Sequence, residues 1–250
     1  MKKTVSSILL ASALLLGSIA PVVANADAAS STGTTKGSVT FTKPEPVTTP
    51  VDPANPGTPS TTPGDNGGTT PSGDLTFLYV TKTLDFGTHE TSTSNKQSFT
   101  AATNSDGKSG SISTTTFAGT TANPNFVTEV SDTRATNAGW KVQLSADNFT
   151  DGTNNLTGAV LNFNAKSGLA VTNSVSADGI TQENAAPVLG SGSAVDVYNA
   201  AKGSGAGSTA FQLDPSNISL SNIPANVTVT GDSTTYSGNL NWTLASTPEA

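Results

Sequence analysis

The chain has 250 residues, 12% of them charged, a formal net charge of −7 and no cysteine. That length allows one ordinary domain with appendages, and the missing thiols exclude disulfides, thiol catalysis and zinc–thiolate sites. The acidic balance excludes a nucleic-acid binder, which needs a basic footprint. Taken in order, Lys2 and Lys3 precede an apolar run from Ile8 to Val23 that is broken by Ser12, Gly17, Ser18 and Pro21. Ala24-Asn25-Ala26 follows with the small-x-small form of a cleavage site. Residues 1–26 therefore read as a signal peptide that is removed; the run is short for a retained bilayer span. Losing Lys2 and Lys3 takes the formal charge from −7 to −9, because Asp27 is the first acid.

Residues 27–37 are small and polar and carry no apolar period, so they are expected to be mobile. Ser38 to Thr42 (SVTFT) predicts a short strand with Val39 and Phe41 on one face. From Lys43 to Gly73 the composition turns to Pro, Thr and Gly with almost no bulky apolar residue, which predicts a disordered, semi-extended linker. Residues 74–250 read as all-β. Short runs rich in Thr, Val and Phe (LTFLYV, SISTTTF, NFVTEV, GWKVQL, AVLNF, LAVTNSV, AFQL, ISL, VTVT and NLNWTL) are separated by Gly, Asn, Asp, Ser and Pro. No amphipathic helix stands out, and the pattern predicts an antiparallel β-sandwich, immunoglobulin-like in shape.

Two of these runs hold both tryptophans of the chain. In Ala138 to Asp147, Trp140, Val142 and Leu144 alternate with Lys141, Gln143 and Ser145. In Tyr236 to Ala250, Tyr236, Gly238, Leu240, Trp242 and Leu244 alternate with Ser237, Asn239, Asn241 and Thr243 until Pro248, which lacks the N–H a ladder needs. These residues resemble the WxL domain of surface proteins from low-GC Gram-positive bacteria. Its distal motif runs Tyr, three residues, an aliphatic, a hydroxyl residue, Trp-x-Leu, three residues, Pro. Tyr236, Leu240, Trp242, Leu244 and Pro248 fit it, whereas Asn241 replaces the hydroxyl residue and the proximal motif reads Trp140-Lys141-Val142, with Val for Leu. The resemblance extends through Gly73–Gly87, Val130–Trp140 and Leu156–Phe163, and so covers the chain from about Gly73 to its end.

The resemblance implies a secreted protein attached non-covalently to peptidoglycan. It also implies company: other WxL proteins and membrane-anchored surface proteins are the expected partners. No LPxTG-like signal, apolar tail or lipobox cysteine is found in these 250 residues, so retention is expected to rest on the folded domain. Teichoic acids are polyanions like the chain itself, so wall contact must be short-range. A second reading makes the chain a structural or adhesive subunit, held by partner proteins or binding host matrix, with the 38–42 strand adding to a neighbour's sheet.

Individual residues allow more than one role at this stage. Trp140 and Trp242 in alternating patterns suit the space between sheets, and the other option is stacking on sugar rings. Asp132 and Arg134, the only arginine, form a loop clamp or leave Arg134 to hold a wall-peptide carboxylate. The loop Asp147 to Asn155 has amides suited to glycan hydroxyls. Asp147, Asp151 and Gly152 match three EF-hand positions, but Phe149 and Gly158 occupy ligand positions, so an EF-hand is excluded and only a looser calcium site is left. One histidine, His89, and no nucleophile-elbow pattern give no expectation of an enzyme. Glu129, Asp132, Asp147 and Asp151 are the acids available to a two-carboxylate mechanism. No cofactor is called for.

Overall fold

The computed structural model describes residues 32–61 and 64–246, so the expected signal peptide and Pro248 lie outside the described residues. The chain divides into two units, one ending at Phe41 and one beginning at Thr42. In the first, the described residues run without regular structure, and Val39 and Phe41 are 74% and 86% exposed. The strand expected over residues 38–42 is therefore not formed. Its alternation is right for a strand, but a strand also needs a neighbour to take its N–H and C=O groups.

The second unit carries sixteen strands among its described residues. In chain order they are β1 (Val51–Asp52), β2 (Asn55–Pro59), β3 (Leu75–Val80), β4 (Leu84–Asp85), β5 (Gln97–Thr100) and β6 (Ser111–Ile112). Then follow β7 (Phe126–Asp132), β8 (Trp140–Ala146), β9 (Val160–Asn164), β10 (Thr172–Asn173) and β11 (Ile180–Gln182). The last are β12 (Asn184–Ala185), β13 (Val195–Ala200), β14 (Gly207–Leu213), β15 (Ile218–Ile223) and β16 (Leu240–Ser246). Three four-stranded sheets have the orders β10-β14-β7-β3, β11-β13-β8-β16 and β12-β9-β15-β5, and all their strand pairs are antiparallel. The all-β sandwich expected from the sequence is the architecture observed.

Aromatic side chains join the layers. Tyr198 of β13 stacks on Phe211 of β14, ring centroids 5.0 Å apart, and its phenol is 2.8 Å from the Thr128 hydroxyl of β7. That hydrogen bond satisfies a hydroxyl with no access to water, and burial raises the Tyr198 pKa. Phe126 of β7, Phe163 of β9 and Trp242 of β16 meet where the three sheets converge, with centroids 5.2 to 5.6 Å apart. Phe163 meets the other two rings edge to face while Phe126 and Trp242 are stacked, and aromatic pairs of either kind add about 0.5–1.5 kcal/mol to their area burial.

Every residue of β7 is buried, which a strand with one solvated face would not be. Phe126 and Val130 face the main core, while Val127 packs with Tyr79 and Phe117 in a second cluster. The middle of the expected linker lies over this part of the molecule. β1 and β2 form a hairpin in which Pro50, Val51, Pro53 and Pro56 are buried. The Pro53 carbonyl accepts from the Thr172 hydroxyl at 2.6 Å, and the Val51 N–H donates to Glu129 Oε2 at 2.9 Å. The disordered linker expected over 43–73 is corrected here. Counting bulky apolar residues overlooks proline, which buries three ring methylenes and has no N–H to satisfy.

Candidate functional site

The two tryptophan strands pair with each other. β8 and β16 run antiparallel in unbroken register, with Trp242 opposite Leu144, Leu244 opposite Val142 and Ser246 opposite Trp140. β8 alternates strictly between buried and half-buried residues, as its sequence predicts. Trp140, Val142 and Leu144 have no exposure, and Val142 takes the place a leucine would fill. The Trp140 indole N–H donates to the Gly205 carbonyl at 2.9 Å. Gly205 has φ +77, and a Cβ there would meet Trp140 Nε1 at 2.6 Å, so glycine is required twice over.

β16 is different. Leu240, Trp242 and Leu244 are only half-buried, and Asn241 and Thr243 are exposed. It is the last strand of its sheet. Asn241, the departure from the expected hydroxyl residue, donates its amide to Asp147 Oδ1 at 2.8 Å, and Asn239 donates to Oδ2 at 3.0 Å. Those bonds tie the entry of β16 to the loop that leaves β8.

Arg134 closes the other end of the pair. Its Nε and Nη2 donate to the two oxygens of Asp132 at 2.9 and 2.7 Å, its Nη2 also to the Gly139 carbonyl at 2.8 Å, and its Nη1 to the Ser246 hydroxyl at 2.6 Å. A planar fork bound on both edges suits this bidentate geometry, and the Asp132 hydrogen bonds raise the arginine pKa further. The side chains of Asp132 and Arg134 are 4% and 16% exposed. This arrangement fixes the end of β7, the start of β8 and the end of β16 together, and leaves the guanidinium engaged within the chain.

The distal segment from Tyr236 to Trp242 borders two depressions. A groove of about 650 Å³ lies between β3 and β16, lined with Thr69, Thr81, Lys82, Phe77, Leu240 and Trp242 among others. A smaller cleft of about 360 Å³ is lined by Thr153, Asn154, Asn155, Asn226, Thr228 and Tyr236 among others. Asn155 and Asn226 are exposed there, and the Tyr236 hydroxyl donates to the Thr228 carbonyl at 2.9 Å. Asp151 shapes the cleft's rim. Its carboxylate accepts the Asn154 side-chain amide and the backbone N–H groups of Asn154 and Thr153, which bring its pKa down to about 2. The amide-rich loop singled out in the sequence thus stands beside the distal motif's tyrosine. The other side of the cleft, Pro224 to Thr228, was missed; VTVT there forms no strand, and its polar alternation resembled one.

The other acids and the histidine are engaged within the fold. His89 Nδ1 lies 2.7 Å from Asp106 Oδ2 and Nε2 2.7 Å from the Phe86 carbonyl, while its ring stacks on Phe99. Glu129 has no exposure; its Oε2 accepts from Val51, its Oε1 has no partner among the described residues, and burial raises its pKa from 4.5 to about 8. Among the described residues no three of His, Cys, Asp and Glu gather as a metal would require. No helix among them is long and apolar enough to cross a membrane.

The architecture is an antiparallel β-sandwich with two paired, clamped tryptophan strands and depressions beside the outer one. Residues 28–248 match the family described as WxL domain surface cell wall-binding, and the chain belongs to that family. It is a cell-wall or cell-surface protein. No curated protein and no solved structure matches the chain.

Proposed function

We propose that the chain attaches non-covalently to the cell wall by binding peptidoglycan directly, through the cleft beside Tyr236. The family match over residues 28–248 carries the wall association. The cleft supports the finer reading through its chemistry. Asn155 and Asn226 present amides that both donate and accept, Thr153, Thr157 and Thr228 add hydroxyls, and Tyr236 adds an aromatic edge. Glycan strands and their stem peptides present the complementary mixture of hydroxyls, amides and short apolar faces. Such contacts are short-range, as an acidic chain among wall polyanions requires.

Arg134 has no part in this reading, because its donors already meet Asp132, Gly139 and Ser246. The test is sedimentation of the chain with purified sacculi before and after acid removal of teichoic acids, with circular dichroism to confirm folding. Saturable binding that survives the stripping and is competed by soluble muropeptides is the expected result. A well-folded chain left in the supernatant would refute direct binding.

A further inference from the structure

The three main sheets end in edge strands that are treated very differently. β10, β11 and β12 are only two or three residues long. β3 is covered along its outer side: Gly67 bridges to Val80, the Gly68 N–H donates to the Val80 carbonyl, and the Asn66 amide donates to the Leu78 carbonyl. It also carries a bulge between Phe77 and Tyr79. β16 has seven residues, no bulge against β8, and no Pro, Lys, Arg, Asp or Glu between Leu240 and Ser246. Among the described residues no backbone hydrogen bond reaches its outer edge. Natural edge strands are blunted by charge, proline, bulges or a cover, because an open edge is a template for another strand. Among the described residues β16 has none of these, and the groove of about 650 Å³ adjoins its edge.

The chain also contains a segment with a strand's alternation that, among the described residues, pairs with no other strand. Ser38 to Thr42 alternates apolar and hydroxyl residues, forms no strand of its own, and leaves Val39 and Phe41 74% and 86% exposed. Residues 32–43 contain Lys36 and Lys43 and no acid, Lys43 already pairing with Asp74 of its own chain at 2.6 Å, while residues 44–246 hold seven Lys and Arg against sixteen Asp and Glu. The exposed carboxylate of Asp147 lies at the entry of β16, outside the groove, whose lining among the described residues carries a single charge, that of Lys82. A basic segment on an acidic body is drawn to other copies of that body.

We propose that Ser38–Thr42 of one copy adds as a strand to the outer edge of β16 in a second copy, placing Val39 and Phe41 in the groove beside Leu240 and Trp242. Main-chain hydrogen bonds give such an addition its affinity, and the alternate side chains give its register. Five residues span about 17 Å, within the roughly 23 Å that seven residues of β16 offer. Head-to-tail contacts of this kind propagate, so the product is a chain of copies or a closed ring rather than a single symmetric dimer. The inference goes beyond wall binding and uses a different depression.

Sedimentation velocity of the chain without residues 1–26, over a range of concentrations, should show self-association. The double variant V39D/F41D, altered only at exposed positions, should weaken it at least about tenfold, as expected when two apolar side chains lose their burial. A synthetic peptide of residues 36–43 added to that variant should shift tryptophan fluorescence, and W242F should abolish the shift, because Trp140 has no exposure to sense it. A chain that stays monomeric at every concentration, or a double variant that associates like the parent, overturns the proposal. So does a variant whose fluorescence responds to soluble peptidoglycan fragments and not to the peptide.

Discussion

β8 and β16 carry related motifs, lie side by side in one sheet, and do different work. Trp140 is enclosed, its N–H bonded to Gly205, on a strand with neighbours on both sides. Trp242 is half-buried on an edge, where it joins Phe126 and Phe163 on one side and lines an open groove on the other. The same residue type in the same period therefore supplies interior packing in one strand and a boundary between interior and solvent-accessible surface in the next. Position in the sheet decides the role, because a central strand buries what an edge strand shares with solvent.

Substitution of the two tryptophans should separate the roles most strongly. Trp140→Ala is expected to cost about 3–5 kcal/mol, since it empties an enclosed site and leaves the Gly205 carbonyl without its donor. Trp242→Ala should cost less, about 1–3 kcal/mol, because solvent already reaches part of the ring. Urea unfolding of both variants checks the order. Equal losses would mean that the edge strand is as enclosed as the central one.

The clamp that joins the two strands comes next. Arg134→Ala should destabilise the chain by about 3 kcal/mol, because Asp132 keeps a nearly buried carboxylate with no cation beside it. Arg134→Lys should restore only part of this, a single ammonium being unable to span both carboxylate oxygens, Gly139 and Ser246. If Arg134→Ala instead kept its stability and lost sacculus binding, Arg134 would be a ligand residue.

Beneath the β1–β2 hairpin, Glu129 gives the fold a pH dependence. Its folded-state pKa of about 8 stands above the ordinary 4.5, so the folded chain holds a proton that the unfolded chain releases. The resulting stability is complete below about pH 4.5 and is lost as pH rises toward 8, by an amount on the order of a few kcal/mol. Glu129→Gln should flatten that part of the stability profile, with the variant more stable than the parent above pH 8. Identical profiles in thermal melts at pH 5 and 9 would show that the carboxyl is solvated. The smallest effect is expected at Asn241, where alanine removes one hydrogen bond to the exposed Asp147 and should cost about 1 kcal/mol or less.

The sandwich, the burial of Trp140, Val142 and Leu144, and the strand Leu240–Ser246 are all legible, because period-two alternation reports which face is inside. Three things were hidden. β13 (VDVYNA) lies next to β8, yet its half-exposed Asp196 and Asn199 interrupt the apolar pattern that would have marked it. The proline hairpin reads as linker because a count of bulky apolar residues passes over proline rings, which are buried here. Finally, nothing local reveals that β16 is an edge: sheet order depends on contacts between residues about a hundred positions apart, such as Trp242 with Leu144. The cleft beside Tyr236 was half visible, since its amide-rich loop stands out by composition and its Pro224–Thr228 side does not.

The most direct test of this division of labour is hydrogen–deuterium exchange of the chain with and without soluble peptidoglycan fragments. The account predicts new protection in residues 153–157 and 224–228, with exchange of the Trp140 strand unchanged. Protection centred on residues 132–140, or none at a ligand concentration that saturates sacculus competition, would contradict it.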